Sequence, residues 1–158
     1  MKKIDWKNLS YYDFIGFVAV TAFLLFVLYF GGLWYATYDY RIQMRDQMVE
    51  MYKQLPNPIP PIEDDYGVHQ RWLVFYIDGV KVLNKPQPEN VINEYKKALE
   101  KEGWATEREY EHVRNDKNKI YGINMRKGEF ILSVSARENR DSINIHLIKR
   151  DWIYNKGF

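Results

Sequence analysis

The sequence contains no cysteine. That removes disulfides, thiolate metal sites, cysteine nucleophiles and cysteine-linked lipids, and leaves the redox compartment open. Histidine is nearly as scarce. His69, His112 and His146 are spaced so that no two share a helical turn and none sits beside a carboxylate motif, so no metal site is expected. An excess of one charge is missing too: 23 Lys and Arg stand against 21 Asp and Glu, which gives no electrostatic reason to expect a nucleic-acid partner. Neither a phosphate-binding glycine loop nor a Gly-x-Ser-x-Gly elbow is present. No catalytic residue and no cofactor is therefore assigned, and the chain reads as non-enzymatic.

What the sequence does have is one long uncharged run. From Phe14 to Tyr38 there is no Asp, Glu, Lys or Arg, and at about 1.5 Å per residue this suffices to cross roughly 30 Å of hydrocarbon with some tilt. Trp6, Tyr11 and Tyr12 flank one end and Trp34, Tyr35, Tyr38 and Tyr40 the other, where amphipathic rings suit the headgroup level. Ser10 and Asp13 fit a capping box at the start. A buried soluble helix is rarely apolar all round over such a length. A cleaved signal peptide has an apolar core of about 7 to 15 residues, shorter than this one. The reading is a single-pass membrane protein with residues 14–38 in the lipid. Lys2, Lys3 and Lys7 precede the run, while Arg41, Arg45 and Lys53 follow it. The short basic tail of residues 1–13 favours a cytoplasmic N-terminus and an extracytoplasmic C-terminal domain.

The helical pattern continues beyond the run, because residues 39–55 contain neither Gly nor Pro. Tyr40, Met44, Met48, Met51 and Leu55 recur at spacings of three and four, one apolar stripe on a polar stalk helix. Together with the membrane segment this predicts a helix from about Ser10 to Gln54, roughly 65 Å long. The stripe suits packing on the chain's own domain and equally a contact with another subunit. Pro56, Pro58, Pro60 and Pro61 then end the helix, since repeated prolines remove backbone donors. Residues 56–70 read as a proline-rich linker.

Residues 71–158 read as the domain. Arg71–Ile77 is rich in β-formers, with Asp78-Gly79 as a turn or bulge. A helix follows from Pro88 to Glu102, with Pro88 in its first turn and Gly103 closing it; Val91, Ile92, Tyr95, Ala98 and Leu99 form its buried side. The period then falls to two. Thr106–Arg114 reads as a polar edge strand, followed by the turn Asp116–Lys119, a strand Ile120–Arg126, the turn Lys127-Gly128, a strand carrying Phe130, Leu132 and Val134, and another carrying Ile143, Ile145 and Leu147. This predicts an α+β, two-layer fold with one helix on an antiparallel sheet. Glu107, Glu109 and Glu111 share one side of the edge strand and discourage further pairing. Arg137, Arg140, Lys149 and Arg150 are expected to form a basic, salt-bridged end of the sheet.

The segment Pro88-Glu89 through Tyr95-Lys-Lys-Ala-Leu99 to Gly103-Trp104, followed by short strands with a Lys-Gly turn, resembles the small β-α-β-β-β domains of many bacterial envelope proteins and lipoproteins. The resemblance covers about Leu73 to Ile148. It implies the fold and an envelope compartment, with a membrane helix here in place of a lipidated cysteine. The expected function is that of an accessory or assembly subunit of an envelope complex. Its partners would be membrane lipid and other envelope subunits, a second copy among them, with the contact on the stripe from Tyr40 to Leu55. The alternative is a subunit of a pilin-like filament, although the apolar run lacks the early glutamate that pilin processing requires.

Overall fold

The structure, a computed structural model, describes residues 11–71, 74–84, 87–113 and 118–150, and only the backbone of Tyr12 and Asp13. The basic tail with Lys2, Lys3, Trp6, Lys7 and Ser10, together with Trp72, Leu73 and the first half of the Asp116–Lys119 turn, lies outside the described residues. The chain divides into two compact units, Met1–Ile42 and Gln43–Phe158.

The described part of the first unit is helical. α1 (Tyr11–Ala36) is followed after Thr37 by α2 (Tyr38–Lys53), whose residues from Gln43 onward belong to the second unit. The helical path expected from Ser10 to Gln54 is therefore divided at Thr37. The backbone ladder still crosses the break: the Thr37 N–H donates to the Leu33 carbonyl and the Arg41 N–H to the Thr37 carbonyl, both at 3.0 Å. The Thr37 hydroxyl also donates to the Leu33 carbonyl at 2.8 Å, the back-bonding that loosens a helix locally. Phe14–Ala36 is long and apolar enough to cross a membrane, and none of it is buried. Just beyond it, Arg41 Nη2 donates to the Trp34 carbonyl at 2.9 Å, and its guanidinium lies 3.5 Å from the centre of the Trp34 ring. A cation there complements the negative end of α1.

The second unit is α+β. Six strands, β1 (Glu63–Arg71), β2 (Val74–Val82), β3 (Ala105–Val113), β4 (Lys119–Lys127), β5 (Phe130–Arg137) and β6 (Ser142–Lys149), form one sheet in the order β1-β2-β6-β5-β4-β3, every neighbour antiparallel. Between β2 and β3, α3 (Pro88–Lys101) carries the chain across to the far edge, and the next three strands return by hairpins to meet β2. Pro88 stands at the start of α3. At its end Gly103 takes φ +84°, and the Trp104 N–H reaches back to the Leu99 carbonyl, closing the helix as the sequence predicts.

Period-2 alternation divides the sheet into two faces. Ile77, Ile123, Met125, Leu132, Val134, Ile143, Ile145 and Leu147 lie on one face and are almost wholly buried. Val91, Ile92, Tyr95 and Leu99 of α3 cover the β3–β5 side of that face. The β1–β2–β6 side is covered by α2, with Tyr52 lying on Gly79 of β2 and beside Tyr66 of β1, and Gln47 bonded to Lys149 of β6. One finding departs from the sequence reading: the last part of the expected linker, Glu63–Gln70, is an edge strand. Of the two alternatives for the stalk stripe, packing on the chain's own domain takes Met44, Met48 and Leu55.

Candidate interaction surface

The expected contact stripe is divided by the structure. Met44, Met48 and Leu55 are buried, Met48 completely, while Tyr40 and Met51 remain half-buried. The buried line continues through Tyr52 rather than Met51. Within the stripe, Met44, Met48 and Leu55 are thus core residues and offer a partner no surface, because the alternative of packing on the chain's own sheet takes them first.

Around Tyr52 lies a polar cluster that the sequence did not announce. The Tyr52 hydroxyl donates to Asp64 Oδ1 at 3.0 Å; Lys81 Nζ, buried beside it, is 3.0 Å from Asp64 Oδ2 and also donates to Asn57. Burial, then the charge of Asp64, holds the Tyr52 phenol well above its ordinary value, and the same two causes in the same order raise Tyr95. The Tyr95 hydroxyl is buried with no hydrogen-bond partner among the described residues.

On the opposite, uncovered face, Asp78, His146 and Ser133 stand side by side on β2, β6 and β5. His146 Nδ1 is 2.7 Å from Asp78 Oδ1, and His69 Nε2 is 3.8 Å from Asp78 Oδ2. Both imidazoles flank Tyr76, with ring centres 5.1 and 5.6 Å away. Gly67 makes room for this, since a Cβ there would lie 2.8 Å from His69 Nε2. The row has the order of a Ser-His-Asp relay. Yet no hydrogen bond joins Ser133 to His146 among the described residues, and interior strands commit their N–H groups to the ladder, leaving none for an oxyanion. The face is flat and wet. Among the described residues no group of three His, Asp or Glu is placed to hold a metal.

The other charged candidates resolve into ion pairs. A bulge between Thr106 and Arg108 turns Glu107 away from its neighbours, so the three β3 glutamates do not share a face: Glu107 pairs with Arg126, Glu109 with Lys96 of α3, and Glu111 with Lys119. Hydrogen bonds to Glu109 and Glu111 raise Lys96 and Lys119 respectively. A shallow, open cleft of about 250 Å³ beside Glu89, Asn93, Glu109 and Glu111 is acidic without enclosing anything. The expected basic end is also dispersed, because antiparallel pairing places Lys149 and Arg150 near Phe130 and puts Arg137 and Arg140 at the opposite end of β5. No protein-family model matches the chain, and no curated protein matches it either.

Proposed function

We propose that this chain is a membrane-anchored, non-enzymatic module that holds a small extracytoplasmic domain at the surface of a bacterial envelope membrane, where it acts through protein contacts as an accessory or assembly subunit. The observation that carries the reading is the helix Phe14–Ala36, apolar and exposed on every side. In water such a surface is untenable, and lipid is the medium that satisfies it. The basic tail before the helix favours an N-terminus on the cytoplasmic side. On the domain, flat polar faces and two open strand edges suit protein surfaces better than small molecules, which take concave, enclosed sites.

The test is fractionation of cells carrying the full chain. It should stay with membranes through alkaline carbonate washing, leave them only with detergent, and be cut back to the helix when protease is added outside the membrane. Release by carbonate alone, or protection of the domain in sealed cells, would contradict the anchor or its orientation. Mild detergent should extract it within a larger assembly.

A further inference from the structure

We infer that β1 is the contact surface of this module, and that its partner there is a second copy of the same chain, added edge to edge and antiparallel about Gly67. The inference deepens the proposal above by naming the partner of the domain. Among the described residues the sheet ends in two open strands, β1 and β3, and unpaired strand edges invite pairing unless something prevents it.

Something does at β3. Its register is broken by the bulge at Thr106–Arg108, and antiparallel self-pairing about Glu109 would set that carboxylate against its own copy. Like charges directly opposite one another disfavour pairing.

β1 is the reverse case. It pairs with β2 in unbroken register over all nine residues, from Glu63 to Arg71. Its sequence is polar in a directed sense, with Glu63, Asp64 and Asp65 in the first half and His69, Gln70 and Arg71 in the last. Antiparallel pairing of two copies about Gly67 places Glu63 opposite Arg71 and Asp65 opposite His69, each twice. On the helix-covered face it places Tyr66 opposite Val68, covering a valine that is 37% exposed in the single chain. At the dyad, glycine meets glycine, so no side chain collides with its own image. Glu63, Asp65 and Arg71 are all exposed, and no ion pair among the described residues engages them. The interface is isologous, the self-complementary type that closes at two subunits.

The experiment is native mass spectrometry of the full chain released from detergent, on wild type, Glu63→Arg, Arg71→Glu and the double variant. These side chains are exposed, so folding is not at stake. The wild type should be dimeric. Each single reversal should weaken the dimer by about tenfold or more, since each places two like-charge pairs across the interface. The double variant, which restores opposite charges across it, should recover the dimer.

A monomeric wild type, single variants that dimerise as well as wild type, or a double variant no better than the singles would overturn the inference. The second of these outcomes is also what association through the membrane helix alone would give. Species growing beyond two with concentration would point to head-to-tail joining of β1 to β3 and would overturn it as well. The result stands apart from membrane fractionation: a dimer that washes off membranes removes the anchor reading only, whereas a membrane-bound monomer removes this one.

Discussion

The two faces of the sheet are made from alternate residues of the same strands, and they differ in almost everything else. On one, Leu132, Val134, Ile143, Ile145 and Leu147 are shut away under two helices; on the other, Ser133, Ser135, Asn144 and His146 remain in contact with water. The difference shows that stability is concentrated on one side of a single layer. Substitutions should therefore fall into two classes according to the parity of their position in a strand.

The largest effect is expected from Leu132→Ala, which empties a fully buried site at the sheet centre; urea melts should show a loss of about 3 kcal/mol. Gly79→Ala comes next. A methyl there would meet the Tyr52 ring, lifting it from the sheet at a cost of about 2 kcal/mol by the same assay. Asp64→Asn should cost about 2 kcal/mol, less than a fully buried pair because Asp64 is 33% exposed. Lys81→Met should by contrast be near neutral, since it removes the buried charge itself.

Alkaline pH probes the same face. Tyr52 and Tyr95 are raised above the ordinary value of 10.0, so the folded chain keeps protons that the unfolded chain loses. Their contribution is complete below about pH 10 and declines as pH rises toward the folded values. The melting temperature should fall steeply above that point, and less steeply in Tyr52→Phe; a parallel fall in both proteins would contradict the assignment. The smallest effect belongs to the open face, where Ser135→Ala should stay within about 0.5 kcal/mol of wild type. A loss there as large as at Leu132 would break the comparison between the faces.

Much of this arrangement is legible in the sequence, for reasons that also explain the exceptions. α3 and the strands β4, β5 and β6 can be read because each buries one side and wets the other, so hydrophobic period reports environment directly. β1 hides from that signal. At the sheet's edge even its covered side carries Asp64 and Gln70, and its alternation is between polar residues. The stripe on α2 is visible, but whether it meets this chain or another is not, because apolar spacing says that a face is covered without saying by what. Met51 and Tyr52 stand on neighbouring sides of the same turn, and only the strand glycine beneath chooses between them. The strand order is equally silent, since nothing local tells β6 to return beside β2.

That glycine has one more consequence. Gly79 leaves a gap in the sheet surface that the Tyr52 ring fills, and a helix displaced by one turn would offer Met48 to the same gap. Methionine has no hydroxyl to reach Asp64. The gap and the ring thus act as a ratchet stop that fixes where along its length the helix may rest. The two positions are bound to change together: a chain that fills the gap at 79 must surrender the ring at 52, and with it the bond to Asp64.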